Sequence, residues 1–207
     1  MNPRDTNSTN TKSTNTTHTN TNPTNHGIVT PYEGREHGGW DPQAPIPAPL
    51  ALHRTAVPLA WVDYNGHLSE SCFLLAFGDN SDAFFRWIGV DEAYRAAGHS
   101  LYTAESHLHH LGEAGEGNLL RLTLQILDVD DKRLHLFHTM YRDDSGAPIA
   151  TAEQMLLHVD TEAGRVAPFP GFLAERLAAT RLAHARLPVP AAVGHVMGIP
   201  RKPDQPA

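Results

Sequence analysis

A chain of 207 residues is long enough for one domain with a full hydrophobic core, and a formal net charge of −7 argues against a partner held by neutralising nucleic-acid phosphates. The single cysteine, Cys72, excludes an intrachain disulfide and a cysteine-rich zinc module. No apolar run approaches the roughly 18–20 residues of a membrane span and the N-terminus lacks the apolar core of a signal peptide, so the expectation is a cytoplasmic protein without membrane contact.

Residues 6–25 are almost entirely Thr, Asn and Ser, without a single large apolar side chain. Such a segment cannot bury enough surface to offset its ordering entropy and is expected to be disordered. Residues 27–50, with Gly38-Gly39 and five prolines, read as a loose continuation. The chain therefore divides into an arm (1–50), a folded unit (51–187) and a flexible tail (188–207) rich in Pro, Gly and Ala. The folded unit opens with a short strand at 53–59. A long helix over 69–88 follows, with Phe73, Phe77, Phe84 and Ile88 at helical spacing and Leu74, Leu75 and Phe85 widening the stripe. Gly89 ends it, and a short helix over 91–97 stops at Gly98. Four strands come next, at 100–111, 119–128, 133–142 and 149–160, separated by Gly/Asp-rich turns. In the second of these, Leu120, Leu122, Leu124 and Ile126 alternate with polar residues, as in a half-buried antiparallel strand. An amphipathic helix over 172–185 closes the unit. The fold class is α+β. So wide an apolar helix needs a curved antiparallel sheet wrapped round it, the hot-dog arrangement, and such a sheet covers its helix only partly, which favours a homodimer or homotetramer.

Residues 62–73 read "VDYNGHLSESCF", an ionisable cluster placed just before the long helix. Asp63, Asn65, Gly66 and His67 lie at a helix start, where backbone N–H groups lack partners and the helix dipole is positive. That is a place to hold an oxyanion, with Asp63 supplying a carboxylate for acyl transfer to water. The same residues also describe an ordinary polar helix cap behind an Asn-Gly turn.

"DYNGHLSESCF" resembles the Asp-x-x-Gly-His signature of the 4-hydroxybenzoyl-CoA thioesterase-like hot-dog family, and the likeness extends over about residues 57–170. The segments "YTAESHLHHLGE" and "DKRLHLFHTM" are similar to the subgroup that serves carnitine breakdown and acts on betainyl-CoA, including the thioesterase part of some L-carnitine dehydrogenases. The resemblance implies an acyl-CoA thioesterase with Asp63 as nucleophile or general base, Gly66 and His67 with the following amides as the oxyanion-binding turn, and Asn65 orienting the carboxylate or the water. It departs from many relatives at Ser69, where they carry Asn, and at Phe73, where they carry Tyr. A trimethylammonium substrate calls for aromatic faces or a carboxylate, and Trp61, Tyr64, Tyr102 and Glu105 are the candidates. Lys132, Arg133 and Arg142 are the candidates for the CoA phosphates. No cofactor is expected. Among the fourteen histidines, His107 and His109 share a strand face that His135 or His138 could join, yet interface packing is the expected role and no metal is expected. The alternatives are a thioesterase for an aromatic or medium-chain acyl group, and a protein that binds acyl-CoA without turnover.

Overall fold

The computed structural model describes residues 30–199; the Asn/Thr tract, expected to be disordered, and the last eight residues of the expected flexible tail lie outside the described residues. Five strands form one antiparallel sheet: β1 (Leu50–Ala56), β2 (His99–His110), β3 (Leu119–Val129), β4 (Arg133–Arg142) and β5 (Pro148–Asp160), in the order β1-β3-β4-β5-β2. A two-residue β6 (Arg165–Val166) pairs with β5. The helices are α1 (Glu70–Ile88), α2 (Glu92–Ala96) and α3 (Gly171–His184).

The period-2 patterns decide which face of the sheet is inside. Leu120, Leu122, Leu124 and Ile126 of β3 and Leu134, Leu136, His138 and Met140 of β4 are all buried. The register sets Leu122 against Met140 and Leu124 against His138. Phe73, Phe77, Phe84 and Ile88 of α1 are buried in two clusters, Phe73 and Phe77 with Val57, Leu68 and Leu122, and Phe84 and Ile88 with Leu173 and Leu177 of α3. Each such side chain contributes about 1.5–3 kcal/mol on burial. This is the hot-dog arrangement expected above. The helix stops at Gly89, which adopts φ 96°; a Cβ there would lie 2.5 Å from Nη1 of Arg176, which donates to Ile88 O.

Four expectations need correction. The first strand begins at Leu50 rather than residue 53 and ends before Pro58, which has no N–H for the ladder, so Leu59–Trp61 closes as a 3-10 turn instead. The apolar stripe of α1 excludes Leu74, which is 44% exposed, while a polar band of Asp79, Asn80, Ser81, Asp82 and Arg86 is buried. Arg86 is satisfied by Asp82 (3.1 Å), Glu33 (2.9 Å) and Glu92. Residues 30–49 are not loose: Tyr32 Oη lies 2.6 Å from His53 Nδ1, Glu33 bonds Arg86, and the Trp40 ring meets Trp87 at 4.9 Å between centroids. Isolated aromatic and charged residues provide the anchors that this Pro- and Gly-rich composition hides. The described part of the expected tail likewise touches the outer face of the sheet. Gln125 Nε2 donates to Pro188 O, and Gly194 N–H donates to Glu153 Oε2 at 2.8 Å.

Candidate active site

Residues 62–68 form a tight loop between the 3-10 turn and α1. Val62 and Leu68 pair as an isolated antiparallel bridge, Asp63 N–H donates to His67 O (2.8 Å) and Gly66 N–H donates to Asp63 O (3.0 Å). Gly66 sits at φ 80°, where an L side chain costs on the order of 1 kcal/mol. Leu68 N–H donates to Ala114 O and Ser69 N–H to Trp61 O, tying the loop to the segment after β2 and to the 3-10 turn. Inside the loop, Asp63 Oδ1 accepts from the N–H of Asn65 (2.8 Å) and, more distantly, of His67 (3.4 Å). The carboxylate is thereby fixed through one oxygen, and Oδ2 has no hydrogen-bond partner among the described residues.

A cavity of about 320 Å³ opens beside it, lined by Asp63, Asn65, His67, Leu68, Glu70 and Phe73 from the loop and α1, and by His110, Gly112 and Glu113 from the end of β2. Phe73 and His110 meet edge to face at 4.7 Å, and His67 Nε2 lies 3.3 Å from Glu113 Oε2. Three carboxylates and an aromatic pair surround one space.

The sequence candidates fare unevenly against this geometry. Asp63, Asn65 and His67 line the cavity together, and Gly66 shapes the loop. Asn65 holds the Asp63 carboxylate with its backbone N–H rather than its side chain. The N–H of Gly66 is spent on closing the loop, so it is not an open oxyanion donor; the first N–H groups of α1, at Glu70 and Ser71, have no intrahelical partner, and Ser69 makes no side-chain cap. Trp61 lines a different cavity with Tyr32, His53 and Asp79. Tyr64 is 97% exposed and Tyr102 stands on the outer strand, half open to solvent. Glu105 lines a third cavity, with His107 and Glu153. Lys132 and Arg133 lie at the start of β4 and Arg142 at its end, about 30 Å apart for a ten-residue strand, so one chain cannot offer all three to one CoA. Arg142 shares the end of the sheet where β3 begins and the loop docks, but it is paired with Asp144 (2.7 Å), as Arg133 is with Asp130 (2.6 Å). Sequence reasoning missed Glu70, His110 and Glu113. Glu70 is adjacent to the motif and could have been found from its helix position; His110 and Glu113 arrive only through the β2–α1 packing.

Residues 57–177 match the model of the Thioesterase-like superfamily. The chain belongs to that superfamily. An L-carnitine dehydrogenase/betainyl-CoA thioesterase of Rhizobium meliloti (strain 1021) is 50% identical over 150 residues, which are 72% of this chain and 30% of that protein. The chain thus spans under a third of that fusion. A betainyl-CoA thioesterase of Pseudomonas aeruginosa is 46% identical over 152 residues, 73% of this chain and 96% of that protein. A Staphylococcus aureus protein solved in complex with CoA superposes with a TM-score of 0.69 at 27% identity, over 76% of this chain and 100% of that one. No helix of the described residues of this thioesterase-like chain is long and apolar enough to cross a membrane.

Proposed function

We propose that this chain hydrolyses betainyl-CoA to glycine betaine and CoA. The observation that carries the proposal is the company Asp63 keeps. The ammonium nitrogen of a betainyl group lies only two bonds, about 2.5 Å, from the thioester carbonyl carbon. A group that recognises the cation must therefore line the same cavity as the attacking carboxylate, and Glu70, Glu113 and the Phe73–His110 pair do. Glu105, Trp61 and Tyr102 do not, so recognition passes to residues nearer the loop. A cation against an aromatic face contributes roughly 0.5–2 kcal/mol, and a neutral acyl group would leave the pocket carboxylates without a counter-charge. The names and sequence identity of the Rhizobium and Pseudomonas relatives support the same reading.

Asp63 acts either by attacking the carbonyl through Oδ2, forming a mixed anhydride that water then opens, or by taking a proton from an attacking water. Both routes consume one water and release a carboxylate and the CoA thiol. The developing oxyanion is held by the Glu70 and Ser71 amides at the positive end of α1. A thiol-release assay over a panel of CoA esters tests the proposal. Betainyl-CoA is expected to exceed the isosteric 3,3-dimethylbutyryl-CoA in kcat/KM by at least about tenfold, roughly 1.4 kcal/mol, and Glu113→Gln to shrink that ratio while Glu105→Gln leaves it. Asp63→Asn is expected to remove several powers of ten from kcat with the melting temperature retained. Equal rates for the cationic and neutral esters would overturn the betaine assignment, and substantial turnover by Asp63→Asn would overturn the role of Asp63.

A further inference from the structure

Successive residues of β2 point to opposite faces of the sheet, so while His110 faces the Asp63 cavity, His107 and His109 face outward. There the C-terminal segment crosses them. It turns twice, with Val193 N–H bonded to Pro190 O and His195 N–H to Ala192 O, and Gly194 at φ 69° directs His195 back onto the sheet. The His107 and His109 rings meet at 4.6 Å between centroids, and His195 lies 5.8 Å and 4.7 Å from them. We propose that His107, His109 and His195 bind one divalent transition-metal ion of zinc's class, which fastens the C-terminal segment to the outer face of the sheet.

Each ring offers a nitrogen, and the three nitrogens lie within 4.8 Å of one another. A tetrahedral zinc ion with bonds of about 2.0–2.1 Å sets its ligand nitrogens about 3.3–3.4 Å apart, so the rings close by at most about 1.5 Å around it. Imidazole rotation and the turn at Gly194 can supply that movement. None of these ring nitrogens has a hydrogen-bond partner among the described residues, so no existing bond is broken on binding. Behind them stands Glu153, opposite His107 in the β2–β5 register and mostly buried. Its Oε1 lies 2.7 Å from His135 Nε2 and its Oε2 accepts from Gly194 N–H at 2.8 Å. The carboxylate therefore holds the segment that carries the third ligand, and it supplies negative charge beside the ion without being a ligand itself. A cavity of about 360 Å³ between sheet and segment leaves room for water in the fourth position. Three imidazoles and no carboxylate cage suit zinc, nickel or copper, and do not suit magnesium or calcium.

The test uses the full chain without a histidine tag, stripped with chelator and titrated with Zn²⁺ in a calorimeter, with Co²⁺ as the spectroscopic substitute. One equivalent per chain is expected to bind, with four-coordinate cobalt absorption, a higher melting temperature and slower proteolysis within residues 188–199. His195→Ala, and separately the His107→Ala/His109→Ala pair, are expected to weaken binding by about a hundredfold or more, while His37→Ala, outside the three-histidine cluster, leaves it unchanged. Melting of the metal-free variants shows that they are folded. Absence of a saturable equivalent, or unchanged affinity in folded His195→Ala, would overturn the proposal.

Discussion

Asp79 carries a carboxyl group 7% exposed on α1, and its pKa is pushed up to about 6 by burial and by the neighbouring Asp82 carboxylate. Asp82 has Arg86 as its partner; Asp79 faces Trp61, Tyr32 and His53 instead. Because the folded pKa lies above the unfolded value of 3.8, the native state binds the extra proton between those two values. Stability from this group is therefore full at low pH and is lost as pH rises toward 6. At one pKa unit per 1.36 kcal/mol, the cost above pH 6 reaches about 3 kcal/mol. Asp79→Asn is accordingly expected to raise the melting temperature at pH 8 and to leave it nearly unchanged at pH 4, as thermal melts at the two values would show. His138 titrates in the opposite sense. It is wholly buried against Asn80 (2.9 Å), and desolvation pulls its pKa down to about 4, so its neutral form stabilises the fold above pH 6.5 and that contribution is lost as pH falls toward 4. The pH 4 comparison must therefore be made between variant and parent at the same pH. Asp63 was legible in the sequence because its geometry is local: the loop that fixes it spans residues 62–68, and the Asp, Asn and Gly that build it are neighbours. Asp79 was not, because its setting depends on Tyr32 and His53, which come from the arm and from β1.

At the scale of the element, the long helix and β3 to β5 were legible because each repeats its own period for ten residues or more, and β4 has the expected bounds. The segment 30–49 was not. Its anchors, Tyr32, Glu33 and Trp40, stand singly between Gly, Pro and polar residues and carry no period. Their value arises only against α1, where Arg86 is fully buried and draws on Glu33 as one of three carboxylates. Removing one partner from a buried cation leaves it under-compensated. A chain beginning at residue 28 is expected to melt with the full-length protein. A chain beginning at residue 46, without Glu33 and Trp40, is expected to lose about 2–4 kcal/mol in denaturant unfolding. Equal midpoints for the two truncations would show that the segment contributes nothing to stability.

For the whole molecule, the open feature is β2. It pairs with β5 on one side and, among the described residues, with no strand on the other, and Tyr102 to Ser106 along it are exposed. An unpaired edge of twelve residues is a template for a second strand. We expect a second copy to add there, antiparallel and related by a two-fold axis, and light scattering is expected to give twice the chain mass or a multiple of it; a monomer at assay concentration would contradict this. Such pairing sets the His99 end of one β2 beside the His110 end of the other. The turn bearing Lys132 and Arg133, remote from Asp63 within a chain, would then approach the Asp63 cavity of the second copy. The periodic pattern of one chain discloses the sheet but not a neighbour across its edge.

The meeting of Trp40 with Trp87 has an optical consequence. Two indole rings at 4.9 Å and 61° are close enough for their electronic transitions to couple, and Arg176 stands 6.0 Å above the Trp40 ring. The chain's remaining tryptophan, Trp61, ends the 3-10 turn before the 62–68 loop and shares a cavity with Tyr32. Circular dichroism from the coupled pair therefore gives a label-free signal of whether residues 30–49 are seated on α1.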